Sequence, residues 1–227
     1  IAAEGVQIDH VETRPGSGAQ SVILVDLTTG TRSILHASGV QLETLSAAAA
    51  DACSAAAWVH VDHAGHALAT EVPRDRLSVD DGNPIPGLKL EGLGLYAPTR
   101  STLLARYPGR SLPGAVAAAL HEGARRVVVS LGQDGALAAD QTGAWRIPAV
   151  PVEVVSTLGA GDVFHGALLA ALVAGHDLPG APRRANVAAA LSCRALDGRS
   201  AIPTAAELDA ALAGAPQPEP ISLEENR

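Results

Sequence analysis

The chain has 227 residues, enough for one sizeable core, and 47% of them are hydrophobic against 18% charged, as in an ordinary globular protein. The net charge of -8 argues against nucleic acid or an anionic membrane surface as the main partner. No stretch approaches the roughly 18 consecutive apolar residues of a membrane span. Two isolated cysteines, Cys53 and Cys193, do not suggest a disulfide framework and favour a reducing cytoplasm.

The first part of the chain contains β-like segments separated by turn residues, namely IDHVET, SVILVD and TRSILH. They predict a small antiparallel sheet within residues 8–36. The chain starts without methionine, in a stretch that is typical of the end of a helix. We therefore expect a front segment of the fold, with its strands, to be lacking.

From residue 37 to residue 214, helical segments alternate with short apolar strands such as AWVHVD, RLSVD, GLGLYAP and RRVVVSLG, and GALAAD with AWRIPAV forms a predicted hairpin. This alternation predicts an α/β fold with a mostly parallel sheet that is covered on both faces. Ligands of such sheets bind at the carboxyl ends of the strands, where the glycine-rich turns SLGQDG and STLGAGD fall. Residues 215–227 are predicted to be a polar tail.

The second of these turns places Gly159, Ala160 and Gly161 directly before Asp162, at the predicted start of an apolar helix. The first N–H groups of a helix have no partner within it, and small residues let an anion approach them. Asp162 would then accept a proton from a nearby hydroxyl, which is the pairing that phosphoryl transfer requires. A lone GAGD is equally compatible with Asp162 as a plain helix cap.

The longer stretch STLGAGDVFHGALLAAL resembles the signature of the ribokinase (PfkB) family of carbohydrate kinases. VVVSLGQDGALA resembles the strand and turn of that family's nucleotide site, and RRANVAAALSCRALDGRSAIPT resembles its adenine-side helix and the following loop. The motif GDVFHGA is most similar to that of the ketohexokinase and sulfofructose kinase branch. The resemblance implies a ribokinase-like three-layer sandwich with a small β lid over the sugar.

The resemblance also implies an activity, the ATP- and Mg²⁺-dependent phosphorylation of a ketose-like sugar in the cytoplasm, by a protein that dimerises through its lid. It implies that Asp162 is the general base and that Gly159, Ala160 and Gly161 form the anion hole. The residues implied to bind the nucleotide are Ser130, Gly132 and Gly135 at the phosphates and ribose, and Asn186 near the adenine.

The sequence departs from the family pattern at three places. Ser156 stands where the family usually has an aspartate that helps to bind a monovalent cation, which puts activation by K⁺ in doubt. Thr99 and Thr102 stand where an N-x-x-E motif linked to magnesium should fall, with Arg100 between them. The expected loss of the front segment leaves an alternative, a truncated and catalytically impaired homologue that binds a nucleotide or a partner protein. A phosphatase-like enzyme is disfavoured because no second carboxylate or metal-ligand set is evident.

The segment HVDHAGH has a spacing that is compatible with zinc, through His60, Asp62, His63 and His66. Because no cysteine or fourth-ligand cluster accompanies it, we predict no metal site there. We expect instead that the segment ends a strand on the sugar side, with Asp62 or His63 near the substrate or simply in solvent.

Four further residues have two interpretations each. Asp80 and Asp81 belong either to a turn, which is favoured, or to the rim of the active site. His165 follows Asp162 by three residues on the same predicted helix, and a packing role is at least as well supported as catalysis. Arg32 is placed to meet an anionic group of the substrate, although exposed arginines are common.

Overall fold

The computed structural model describes residues 2–25, 28, 32–40 and 43–224. Contacts divide the chain into two compact units, Ile1–Ala55 and Ala56–Arg227. This division falls later than the predicted boundary after residue 36, because the first α-helix groups with the first unit. Among the described residues, no helix combines the length and the apolar character that crossing a bilayer requires.

The described part of the first unit contains a two-stranded ribbon, one α-helix and a short 3-10 helix at Ala2–Glu4. Strands β1 (Gln20–Val25) and β2 (Arg32–Ala37) pair in antiparallel fashion, and α1 spans Ala47–Ala55. The prediction of a third strand at IDHVET was wrong, because residues 8–13 form no strand. That segment turns locally instead, with the Val11 N–H donating to the Ile8 carbonyl at 3.0 Å.

The second unit contains a seven-stranded sheet in which the strands lie side by side in chain order. The first four strands are parallel and the others are antiparallel. They are β3 (Val59–Val61), β4 (Leu77–Asp81), β5 (Leu95–Pro98), β6 (Arg126–Ser130), β7 (Ala136–Asp140), β8 (Gly143–Ile147) and β9 (Glu219–Ile221). Strand β9 lies inside the segment that we expected to be a polar tail. The local sequence has a weak strand propensity, but pairing with the edge of β8 stabilises the extended conformation.

The described residues of the second unit contain five α-helices, namely α2 (Arg100–Arg106), α3 (Leu112–His121), α4 (Ala160–Val173), α5 (Gly180–Ser192) and α6 (Ala205–Leu212). Helices α4 and α5 pack on one face of the sheet, where Leu168 and Ala185 join a cluster that includes Val128 of β6. Val127 and Val129 point to the other face and are also fully buried, and α2 and α3 contact β5 and β6. Both faces are therefore covered, which confirms the predicted α/β fold.

The helix starts follow local capping chemistry. The hydroxyl of Ser111 accepts from the Gly114 N–H at 3.1 Å and begins α3. Thr204 and Glu207 form a reciprocal capping box at the start of α6. Helix α2 was not predicted, although Thr99 caps it by accepting from the Thr102 N–H at 3.3 Å. The helix has only seven residues, too few to show a clear apolar period.

Candidate active site

Helix α4 begins at a left-handed glycine. Gly159 has φ +73°, a conformation that side chains other than glycine rarely adopt, and it is the N-cap of the helix. A Cβ atom at Gly159 would lie 3.2 Å from the Cα and carbonyl oxygen of Gly198, so the position also requires a close approach of two backbones. By contrast, a Cβ atom at Gly161 would meet nothing within 4 Å. The first turn of α4 is therefore open on the side of Gly161.

A pocket of about 690 Å³ opens beside this turn. It is lined by six of the residues that the sequence suggested for the nucleotide and the phosphoryl group, Ser130, Gly132, Gly135, Ala160, Gly161 and Asn186. Much of the remaining lining was not foreseen and is largely apolar, including Val150, Val152, Val154, Phe164, Ala189 and Ala190. The pocket thus combines a small-residue end, formed by glycines and a helix start, with apolar walls that suit a planar aromatic ring.

Asp162 lies in the first turn of α4 and is exposed, and neither it nor Gly159 lines the pocket. The N–H groups of Gly161 and Asp162 have no acceptor within the helix, because they belong to its first turn. The helix dipole adds a partial positive charge at the same place. An exposed carboxylate and N–H groups without an acceptor in the helix therefore share one helical turn with Ala160 and Gly161, which line the pocket.

The glycine-rich turn after β6 forms the opposite wall. Gly132 begins a short 3-10 turn that ends before Gly135, which has φ +91°. A Cβ atom at Gly135 would clash with the carbonyl oxygen of Ile147, so only glycine fits where the turn rejoins the sheet. Arg100 at the start of α2 donates to Asp134 in this turn, with an Nη2–Oδ2 distance of 2.7 Å. This ion pair connects α2 to the turn.

The three residues at which the sequence departs from the family pattern, Thr99, Thr102 and Ser156, all have hydrogen-bond partners. The Thr102 hydroxyl donates to the carbonyl of Gly82 at 3.3 Å, and Thr99 Oγ1 lies 3.0 Å from Thr102 Oγ1. Both hydroxyls therefore serve the start of α2. Ser156 accepts from the Leu158 N–H at 3.2 Å and donates its own N–H to the carbonyl of Cys193 at 3.1 Å. The loop before α4 is thereby joined to the end of α5.

The HVDHAGH segment does not form the four-residue zinc set that its spacing permitted. Asp62 Oδ1 accepts from the N–H groups of Ala64 and Gly65, both at 2.9 Å, and so caps a tight turn. His63 is exposed, with its Nδ1 3.8 Å from Asp62 Oδ2. Neither residue lines the pocket, although both follow the carboxyl end of β3.

His60 instead lies in a cluster with two residues from distant parts of the sequence. One ligand-type atom of each of His60, Asp80 and His165 lies within 4.8 Å of the others. His165 Nδ1 is 3.0 Å from Asp80 Oδ2. The pair is close enough for charge attraction but does not meet hydrogen-bond geometry, so both buried ring nitrogens of His165 are without a hydrogen-bond partner among the described residues. The sequence offered His60, Asp80 and His165 only as separate candidates.

The pKa values of two members of this cluster, His60 and Asp80, are shifted from their ordinary values. Desolvation by the surrounding protein atoms, followed by repulsion from His165, lowers the pKa of His60 below its ordinary value of 6.5 although its surface remains exposed, and the charge of Asp162 is among the weaker opposing influences. Burial opposes ionisation of Asp80, but the nearby His165 and the Gly82 N–H outweigh it and lower the pKa of Asp80. His60 therefore lies within electrostatic reach of Asp162 at the start of α4.

Asp80 and Asp81 end strand β4 and do not lie in a turn, which corrects the favoured sequence interpretation. Asp81 is buried, accepts from the Tyr96 hydroxyl at 2.7 Å and has no exposed rim position. Burial, followed by this hydrogen bond, raises the pKa of Tyr96. Arg32 begins β2, but its side chain lies outside the described part of the structure.

Comparisons with known proteins agree with this architecture. Residues 104–205 match the family model for the pfkB family carbohydrate kinases. A ribokinase from Bacillus subtilis (strain 168) is 44% identical over 63 residues, which are 28% of this chain and 22% of that protein. A fructoselysine 6-kinase from Escherichia coli (strain K12) is 41% identical over 68 residues, 30% of this chain and 26% of that protein. The matched stretches thus span about a quarter of these relatives.

Among solved structures, an Arabidopsis thaliana ribokinase complexed with ribose and ATP superposes with a TM-score of 0.72 at 23% identity, covering 87% of this chain and 70% of that one. This likeness confirms the ribokinase-like fold. The matched relatives named here do not single out the ketohexokinase and sulfofructose kinase branch. Residues 104–205 are therefore similar to the pfkB family carbohydrate kinases, and the chain has a ribokinase-like α/β fold.

Proposed function

We propose that this chain transfers the terminal phosphoryl group of ATP to a hydroxyl group of a ketose-like sugar. The observation that carries the proposal is the start of α4, where Ala160 and Gly161 line the pocket and the exposed carboxylate of Asp162 lies in the same helical turn. The match of residues 104–205 to the family of carbohydrate kinases supports the same reaction. The Arabidopsis ribokinase with the same fold was solved with ATP, which supports ATP as the donor.

In this proposal the pocket holds the nucleotide. The apolar walls, including Val152 and Ala189, pack against the adenine, and the turn at Gly132 lies along the phosphates. The phosphates end at the first turn of α4, where unpaired N–H groups and the helix dipole stabilise the negative charge that develops on the transferred group. Because these dipoles are fixed by the fold, little reorganisation is needed during the reaction.

Asp162 accepts the proton of the attacking hydroxyl. Its exposed side chain leaves it open to an acceptor molecule, and its place in the first turn keeps the carboxylate next to the phosphoryl site. A general base of this kind contributes about 10²–10⁴-fold to the rate. The helix start thus supplies both the charge stabilisation and the base of the reaction.

Mg²⁺ enters this scheme with the nucleotide. It typically keeps several waters and binds through one or two carboxylates and the phosphates of the substrate. Thr99 and Thr102 offer only hydroxyls, which already serve the start of α2. The phosphates of ATP are thus the main ligands of Mg²⁺ in this proposal. Ser156 likewise offers a hydroxyl and no carboxylate to a monovalent cation.

We also propose that the β1–β2 ribbon is the lid and that the protein dimerises through it in the cytoplasm. The ribbon exposes several large apolar side chains, Val22, Ile23, Leu24, Ile34 and Leu35. A two-stranded ribbon of this kind is marginally stable alone and gains from a partner that covers it. Cys53 and Cys193 are both free thiols, which suits a reducing compartment.

The test is ADP release from ATP and Mg²⁺ with a panel of ketoses and aldoses, with and without K⁺. We expect sugar-dependent release by the wild-type chain and a loss of about 10²–10⁴-fold in Asp162→Asn, with ATP binding by calorimetry unchanged. Glu153→Gln, which alters an exposed acid in the loop before α4, is the matched control. A folded chain that binds ATP and turns over none of the sugars would contradict the proposal and support the impaired homologue.

A further inference from the structure

The starting observation is a buried histidine without hydrogen-bond partners. His165 is 6% exposed, and neither ring nitrogen makes a hydrogen bond of acceptable geometry among the described residues, although Nδ1 lies 3.0 Å from Asp80 Oδ2. Leaving a buried polar group unsatisfied costs about 1–3 kcal/mol, so such a group calls for an explanation. The packing role considered from the sequence does not explain it, because an apolar side chain would pack there without this cost.

Two side chains of types that can bind metals, Asp80 and His60, lie close to this ring. Asp80 Oδ2 is 3.0 Å from His165 Nδ1, and the rings of His60 and His165 have centroids 5.4 Å apart. These residues come from the neighbouring parallel strands β3 and β4 and from the helix that packs over the sheet. The register pairs His60 with Ser78 and Asp80 with Ala97, which packs in the same cluster as α4. The three side chains therefore converge on one face.

Two of the three side chains are held by a second partner. Asp80 Oδ1 accepts from the Gly82 N–H at 2.7 Å, which leaves Oδ2 directed at His165. His60 Nδ1 lies 3.0 Å from the hydroxyl of the fully buried Ser78. When Nδ1 carries the proton and donates to Ser78, Nε2 is left with a free lone pair. Metal-binding histidines are typically oriented by such a hydrogen bond from the other ring nitrogen.

We propose that His60, Asp80 and His165 bind one divalent transition-metal ion of the Zn²⁺ type. Two imidazoles and one carboxylate form a donor set that suits Zn²⁺ with three protein ligands and one open position. Ca²⁺ and Mg²⁺ prefer oxygen ligands and fit this set less well. Ligand atoms of a tetrahedral zinc ion lie roughly 3.3 Å apart, since each bond is about 2.0–2.2 Å long. The His165–Asp80 pair already has this spacing, and one ligand atom of each of the three residues lies within 4.8 Å of the others.

The proposed metal site lies close to Asp162 on α4, and its relevance to catalysis rests on the proposed function. His165 follows Asp162 by one turn of α4, so the open coordination position lies beside the base. Water or an oxygen donor of the acceptor, such as a hydroxyl or carboxylate, would occupy that position. Metal binding itself does not depend on the kinase proposal and is tested without measuring activity.

The test is calorimetric titration of the chelator-treated full chain with ZnCl₂, together with the visible absorption of added Co²⁺. We expect one ion per wild-type chain. His60→Gln, which changes an exposed side chain, and Asp80→Asn should each weaken binding by at least about tenfold, and Ser78→Ala should weaken it by about 10–100-fold. His63→Gln changes a neighbouring exposed histidine outside the cluster and should leave the affinity unchanged.

Thermal unfolding provides the second readout and a check on folding. Bound Zn²⁺ should raise the Tm of the wild-type chain, because a ligand of the folded state stabilises it by mass action, and should raise the Tm of folded Asp80→Asn less. Absence of Zn²⁺ and Co²⁺ binding by the folded wild-type chain would overturn the proposal. Equal affinities in wild type, His60→Gln and Asp80→Asn would overturn it too, since the ion would then be bound elsewhere. Failure of this test leaves the phosphoryl-transfer proposal untouched.

Discussion

The side-chain amide of Asn186 on α5 donates to the backbone carbonyls of Ile147 and Pro148 at the end of β8, at 3.2 Å each. The amide group thus forms hydrogen bonds with the protein's own backbone and connects the helix to the sheet at the wall of the pocket. The family resemblance implied only that Asn186 would stand near the adenine. The observed hydrogen bonds give it a positioning role in the wall.

Asn186→Ala should therefore lower the free energy of unfolding by about 1–3 kcal/mol, because the buried carbonyl of Ile147 and the half-buried carbonyl of Pro148 lose their donor. Urea unfolding measures the loss, and calorimetry measures the ATP affinity of the folded variant. Gln133→Ala, an exposed residue that also lines the pocket, is the control and should not change the stability. An unchanged free energy of unfolding in Asn186→Ala would show that these hydrogen bonds do not hold the wall.

Substitution of Gly161 should affect the stability of the fold and the binding of the ligand in opposite directions. A Cβ atom at this position meets no other atom within 4 Å, so Gly161→Ala fits the fold and should gain up to about 1 kcal/mol from helix propensity. The added methyl group narrows the approach to the first turn of α4. We therefore expect unchanged or increased Tm together with a drop in kcat of about tenfold or more, equivalent to about 1.4 kcal/mol in the barrier.

Gly166→Ala is the matched control for this variant. Gly166 lies in the same helix, its Cβ position is also open, and it does not line the pocket. It should gain the same stability without loss of turnover. Equal kcat values for the two variants would mean that the ligand does not approach the N–H groups at Gly161.

The ionisation of Glu122 should make the free energy of unfolding depend on pH in the acid range. It follows α3 and meets Arg106 and the hydroxyl of Tyr107, which donates to Glu122 Oε2 at 2.6 Å. Burial opposes ionisation, but these hydrogen bonds outweigh it and lower the pKa of Glu122 below its usual 4.5. A carboxylate with a lowered folded-state pKa stabilises the protein above its unfolded pKa, and this contribution is lost as the pH falls through the folded value.

The free energy of unfolding of Glu122→Gln should be lower than that of wild type near neutral pH by about 1 kcal/mol or less, since the pair is partly exposed. This difference should shrink as the pH falls below 4.5. Urea unfolding at a series of pH values measures it, with the exposed Glu71→Gln as the control. A difference that does not change with pH would contradict the role of the Glu122 charge.

The β1–β2 ribbon makes the oligomeric state testable. Val22 and Leu35 face each other across the two strands, are 59% and 57% exposed, and share one face with Leu24. If this face forms the dimer contact, Leu35→Lys should give a monomer, because a charge would be buried in an apolar interface. Light scattering after size exclusion measures the mass. Ile34→Lys, on the other face of the ribbon, is the control, and a dimer that persists in Leu35→Lys would exclude this face.

Local chemistry in the sequence determined much of the second unit. Continuous apolar runs such as RRVVVSLG bury all of their side chains only in a sheet that is covered on both faces. The GAGD turn predicts the start of α4 because glycines and an acidic residue suit a helix N-terminus. The family resemblance then pointed to residues such as Ser130 and Gly161, which the structure brings to one pocket. These features depend on neighbours within a few positions along the chain.

Tertiary structure decided the rest, because it depends on which distant segments meet. Strand β9 exists only because it pairs with β8, and the predicted strand at residues 8–13 is absent where no ladder forms with the described residues. The sequence placed His60 with Asp62 and His63, its nearest polar neighbours. The parallel register of β3 and β4, with α4 packed over them, brings it to Asp80 and His165 instead. No local pattern encodes that meeting, since it arises from the packing of a helix on a sheet.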